Sequence, residues 1–207
     1  MNEQFKTLAQ QICNLFLDEG VLIRPFSNPR LSFFATLPKE TQKVVLNDMN
    51  SYRKLCETMK LRGQSLQSTR ELTEQALLQL GLQANPDHLD VIENHHLVEI
   101  YNLNHTQIFR SFKYFEVSSY TLEDIYCRKW WNLYERSAED ESTIQKIVSE
   151  FLGTSEKTIQ RVQMPEHIIR EKETLERLVI KTQILWLIPL YRGSEFAAIM
   201  AVETSHL

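Results

Sequence analysis

Glycine is scarce in this chain. Only five of its 207 residues are glycine, at 20, 63, 81, 153 and 193, and no two are close together. Both common phosphate-cradling loops need clustered glycines so that backbone amides can approach the phosphates, which excludes nucleotide-binding enzymes of those types. Cysteine is scarce as well. Cys13, Cys56 and Cys127 are odd in number, far apart and in no metal-ligand spacing, the pattern of reduced thiols in a cytoplasmic protein. No apolar run is long enough to span a bilayer, the best (184–190) being short and containing Pro189. The first residues lack the basic stretch and apolar core of a secretory signal. A basic excess is also missing. The net charge is −4, with ten Lys/Arg against ten Asp/Glu in residues 1–90, leaving 13 (23 − 10) against 17 (27 − 10) beyond. Neither half offers the cationic surface that phosphate contacts demand, so nucleic acid is not an expected partner.

What is present is helical periodicity first and strand periodicity later. Phe5, Leu8, Ile12, Leu15 and Phe16 recur at helical spacing over residues 3–18, and Gly20 is a natural stop. The stretch 21–37 reads as a loop with Pro25 and Pro29, yet it holds Leu22, Ile23, Phe26, Leu31, Phe33 and Phe34 and so expects a surface to pack on. Residues 38–61 predict the longest helix, with Pro38 in its first turn. Val45, Met49, Tyr52, Cys56 and Met59 alternate by four and three along it, the spacing of a heptad seam. That face fits either an intramolecular core or a dimer interface. Ser68 and Glu71 have capping-box spacing before a helix through Leu72, Ala76, Leu77 and Leu80. Residues 86–93 offer a short helix, and a domain boundary is expected near residue 95.

Beyond it, residues 97–103 are β-rich, Asn104-His105 supplies a turn, and 107–110 returns as a second strand. Thr121 is placed to cap a helix over 122–126, with Glu123 and Asp124 where a helix N-terminus favours anions. Residues 139–152 predict a helix with Ile144, Ile147, Val148 and Phe151 on one face. Residues 154–180 are ambiguous: 162–171 fits a strand broken at Pro165, and 169–179 fits a helix. Residues 179–191 and 196–203 form two apolar, β-branched runs around Arg192-Gly193-Ser194, a hairpin signature.

The run Phe115-Glu-Val-Ser-Ser-Tyr-Thr-Leu-Glu-Asp-Ile125, followed by Cys127-Arg-Lys-Trp-Trp-Asn-Leu-Tyr134, resembles the early helical segment of PAS domains, a family of sensory and interaction modules. The stretch Trp186-Leu-Ile-Pro-Leu-Tyr-Arg-Gly193 and the ending at Glu203-Thr204 look like the family's last two strands. The likeness covers about 97–204 and is strongest over 107–134. It departs from the family at Ser111, Ser119 and Cys127, where Asn, Gly and Gly are common. The resemblance implies an α+β fold: an all-α N-terminal region (1–94), then a five-stranded antiparallel sheet flanked by helices (95–207), with a cleft between sheet and helices. Lining that cleft, it implies Phe115, Trp130, Tyr134, Ile147, Phe151 and Trp186 around a small organic ligand, with core filling as the plainer role for the same side chains.

No cofactor is expected. The Asn-Cys-Arg-Phe-type motif of photo-adduct flavin members is missing, and the 139–152 helix has no histidine for haem, His167 lying well past it. His95-His96 has no shared-ion spacing, since adjacent side chains on extended backbone point apart, and expects a surface turn. Neighbouring indoles cannot both face inward, so one of Trp130 and Trp131 packs and Trp131 is the candidate partner contact. No nucleophile–base set has a motif around it. The expectation is a non-enzymatic cytoplasmic regulatory protein, acting as a homodimer or with a signalling partner. Because the chain ends where the PAS-like sheet ends, its output is expected through the N-terminal helices. Two rivals differ in class. One is a transcription regulator whose N-terminal helices touch DNA. The other is an enzyme using the cleft, which requires convergent polar side chains with shifted titration.

Overall fold

The computed structural model describes residues 3–28, 32–154 and 157–207. Helix α1 (Glu3–Leu17) buries Phe5, Leu8, Ala9, Ile12, Cys13 and Phe16, the stripe its periodicity predicts. Helix α2 (Lys39–Leu61) buries Val45, Met49, Tyr52, Cys56 and Met59 together with Leu46 and Leu55. None of these five seam residues is more than 7% exposed, and all lie in the chain's own core. The seam is therefore intramolecular: α1 and the sheet-side elements cover it, and no strip remains for a second copy. Pro38 stands one residue before α2 rather than in its first turn.

Helix α3 (Thr69–Leu80) starts where expected, but Ser68 makes no side-chain capping bond, so the spacing alone does not form a capping box. Gly81 closes the helix in the left-handed region at φ 64°, where a side chain is disfavoured. The apolar loop after α1 packs as anticipated through Ile23 and Phe34, and Phe34 stacks on Phe5 with centroids 4.4 Å apart. Pro29 and Leu31 lie outside the described residues.

After α4 (Pro86–Leu89), β1 (Leu97–Asn102) and β2 (Gln107–Arg110) form a hairpin. Then come α5 (Lys113–Glu116) and α6 (Leu122–Cys127). Thr121 caps α6 as expected, and Asp124 bonds back to it to make a full capping box. The strand β3 (Tyr134–Glu135) precedes α7 (Ala138–Gly153). The ambiguous 154–180 stretch resolves into strands β4 (Gln160–Arg161) and β5 (His167–Glu171) on either side of Pro165, with no helix over 169–179. Finally β6 (Val179–Arg192) and β7 (Glu195–His206) form a long hairpin.

All pairings are antiparallel, in the order β2-β1-β7-β6-β5-β3 with β4 on β6, so the sheet has seven strands rather than five. The two additional strands are the two-residue β3 and β4, too short to show periodicity. On β7, Ala198, Met200 and Val202 join the core that contains α1–α3, while Ile199 and Ala201 face a second cluster under α7. The first core runs unbroken from Phe5 to Val202. The expected boundary near residue 95 thus marks a change of secondary structure, with helices and sheet sharing one interior. Across it, the Tyr52 hydroxyl on α2 donates to the Arg110 carbonyl on β2 at 3.1 Å.

Candidate functional site

Strand alternation builds a polar row on the sheet face away from α1–α3. Glu99 and Tyr101 lie two residues apart on β1, with Ala201 and Ile199 of β7 opposite them. Glu203, two residues beyond Ala201, shares their face and sits diagonal to Glu99. Thr182 on β6 stands opposite Ser205, and His167 on β5 opposite Thr182, extending the row. Gln107 and Arg110 of β2 pair with Tyr101 and Glu99.

The two carboxyl groups are differently served. Glu99 is buried and accepts from the Tyr101 hydroxyl and the Gln107 amide. Glu203 accepts from the Thr182 hydroxyl at 3.2 Å. Burial raises the pKa of Glu99 above the usual carboxylate range, against the lowering pull of Tyr101, Arg110, Arg136 and Gln107. Glu203 is pushed up to about 8, first by burial and then by the charge of Glu99, with Arg136 and Thr182 opposing. Glu203 is partly exposed while Glu99 beside it is buried, so the row forms a shallow recess that opens to solvent at Glu203. Glu99 is the more deeply buried of the two but the better hydrogen-bonded, whereas Glu203, with one donor, favours its protonated form at neutral pH.

Aromatic rings wall this recess. Trp130 lies in the short turn Trp130–Asn132, its indole N–H donating to the His105 carbonyl at 2.8 Å and its ring meeting Tyr101 edge-on at 5.2 Å. The hydroxyls of Tyr134 and Tyr114 are 3.1 Å apart. The Arg136 guanidinium lies 5.8 Å from the Trp130 centroid and 5.9 Å from that of Tyr134. Among the described residues the Arg136 side chain makes no hydrogen bond or ion pair, and its Nε is buried without a partner. His167 is 6% exposed, and its Nδ1 has no well-formed hydrogen bond. Burial lowers the His167 pKa, helped by Arg136 and resisted by Asp140 of α7 and the Pro165 backbone.

Of the six residues expected to line a cleft, Trp130 and Tyr134 stand at this recess. Phe151 packs beside it under α7 with Leu187, Ile199 and Ala201, and Ile147 lies against that cluster. Phe115 and Trp186 belong elsewhere. One residue of helix turns the side chain by about 100°, so Tyr114 meets Tyr134 while Phe115 packs on Phe16 and Tyr52. Trp186 is displaced by a bulge: Ile184 pairs with Glu203 but Trp186 with Val202, leaving Leu185 extra and turning the indole to the α1–α3 face. Trp131 is 42% exposed beside the Lys129 ammonium. The turn expected at His95-His96 is present, closed by the His96 amide donating to the Glu93 carbonyl at 3.0 Å, with His95 exposed. His96 itself is buried and its Nδ1 accepts from the Glu93 amide at 3.0 Å.

Sequence reasoning gave no site role to Glu99, Tyr101, Gln107, Arg136 or Thr182, set His167 aside as a haem ligand, and took Glu203 only as part of a strand ending. The available signal was phase. Glu99 and Glu203 are charged residues inside otherwise apolar β runs, and a carboxylate there must meet partners or change its titration. No family model matches the chain. No curated protein matches it either. Among the described residues, no group of three or more His, Cys, Asp or Glu is placed to hold a metal ion, and no helix is long and apolar enough to cross a membrane.

Proposed function

We propose that this chain is a non-enzymatic cytoplasmic regulatory protein of PAS-like design. It takes a small molecule on the polar face of its sheet and passes the response to the N-terminal helices. The element order supports the likeness: two strands, short helices, a longer helix and three strands, with strand order β2-β1-β7-β6-β5 among those five. The observation that carries the reading is the single core joining α1–α3 to the reverse of the strands that bear Glu99 and Glu203. A change of spacing in β1 or β7 is felt directly by α1–α3 side chains, because packed interiors transmit strain. The ligand acts by favouring one packing of helices on sheet.

The test is native mass spectrometry of protein purified from its own source, then hydrogen exchange. The expected result is a small molecule released on unfolding, whose re-addition to stripped protein slows amide exchange in α1 and α2. Exchange that changes only around β1 and β7 would separate the recess from the helices and defeat the reading.

The Glu99–Glu203 pair supports a second reading, acid–base catalysis on a small molecule, because neighbouring carboxyls raised above the usual carboxylate range are what such chemistry uses. In that case the purified protein converts the co-purifying compound, and Glu203→Gln abolishes turnover while leaving binding in place.

A further inference from the structure

Resting on the regulatory reading, the charge around the recess selects among ligands. Around Glu203 stand Glu99 and Tyr101 from β1 and Thr182 from β6, with Arg136 of the β3–α7 connection acting on its charge. His167 of β5 stands opposite Thr182, and Asp140 of α7 acts on His167. Arg110 and Tyr114 stand behind Glu99. Glu99 and Asp140 stand with Glu203, protonated at rest, beside two guanidinium groups. With Arg136 swung out only Arg110 remains on the cationic side, and the first turn of α7 adds Glu139 and Glu141. An anion entering here meets acids on both sides. A cation meets two carboxyl groups and the faces of Trp130 and Tyr134, the two features that recognise organic cations.

One cation already occupies those ring faces, and it is loosely held. Arg136 contacts the rings of Trp130 and Tyr134, yet its buried Nε has no acceptor, which is unfavourable relative to solvation in water. It lies on the short connection between β3 and α7, between exposed Glu135 and exposed Ser137, so its side chain can swing outward without disturbing either element. The buried Nδ1 of His167, on the same face beside Thr182, is a further polar atom without a well-formed partner. We propose that Arg136 is an internal stand-in for the ligand, and that the recess takes a small organic cation, guanidinium-like or ammonium-like, which displaces Arg136 from Trp130 and Tyr134 and pairs with Glu99 and Glu203.

Two consequences distinguish this from a structural ion cluster. A bound cation stabilises ionised Glu203, so binding at pH 7 releases a proton. Removing the internal competitor raises the open fraction and tightens binding. The experiment is isothermal titration of the full chain with methylguanidinium chloride, in buffers of different ionisation enthalpy. It compares wild type, Arg136→Met (which keeps an apolar stem over the rings) and Glu203→Gln, each first checked for native near-ultraviolet circular dichroism, with sodium acetate as the anion control.

The expected result is binding with release of close to one proton at pH 7, about tenfold tighter binding by Arg136→Met, and weaker binding without proton release by Glu203→Gln. Binding by Arg136→Met no tighter than wild type overturns the proposal. So does acetate binding that depends on Arg136, which makes the recess an anion site. Should Arg136→Met not fold, Arg136→Lys takes its place, and unchanged affinity with no proton release in wild type overturns the proposal equally. If methylguanidinium binds as described but leaves α1 and α2 exchange unaltered, the ligand class stands and the regulatory reading falls. If a neutral or anionic native ligand slows that exchange, the reading stands and the ligand class falls.

Discussion

Glu203 shows how a fold changes the character of a single residue. In the unfolded chain it titrates near the ordinary 4.5, and in the folded protein near 8. Between those values the folded state binds the extra proton, so stability falls as pH rises and is retained fully only below the unfolded value. Replacing Glu203 with Gln removes that titration. Denaturant melts of the two proteins between about pH 5 and 8 should show a flatter profile for the variant, which gains on wild type as pH rises. A wild-type profile that climbs across the same window would mean that Glu203 is ionised in the fold. Glu171, another strand glutamate, is fully buried and accepts from the Ser118 and Ser119 hydroxyls, the Ser119 and Leu178 amides and the Thr174 hydroxyl, where Glu203 has the Thr182 hydroxyl.

At the scale of elements, α7 is the least firmly seated helix. Ile144, Ile147 and Val148 are half-buried, and Phe151 alone is fully enclosed, against Val162, Met164, Ile184 and Leu187. Removing that ring should cost about 3 kcal/mol, the lower end for a buried Phe→Ala change. The loss should appear as faster amide exchange in α7, with α1 and α2 protected as before. Uniform loss of protection throughout would show that α7 is integral to the main core. A charge at Val148 is correspondingly milder than its periodicity suggests, because the side chain can turn toward water. The heptad-like face of α2 behaves oppositely: every seam residue is sealed inside. Both helices have comparable apolar spacing, and only their distance from the main core separates them.

The whole molecule should unfold as one unit. Trp130, Trp131 and Trp186 all lie in the sheet-containing half, so indole fluorescence follows the sheet while helical circular dichroism also follows α1–α3. With one core running from Phe5 to Val202, the two denaturation curves should coincide. Two separated transitions would restore the division at residue 95. The same continuity ties Met49→Glu with Cys56→Glu to loss of folding, since each change buries a charge without a partner.

The sequence by itself determined the α+β class, the extent of the main helices, the Thr121 cap and the final hairpin, because these follow from local periodicity, capping chemistry and turn residues. Only the tertiary structure decided the rest. Pairing register set Glu99 and Glu203 on a common face, and the Leu185 bulge turned Trp186 away from it. Packing closed the α2 seam. The physical reason is range. Helical and strand periods are read within a few residues, whereas register, bulges and the sharing of a core depend on residues about a hundred positions apart, whose meeting no local pattern encodes.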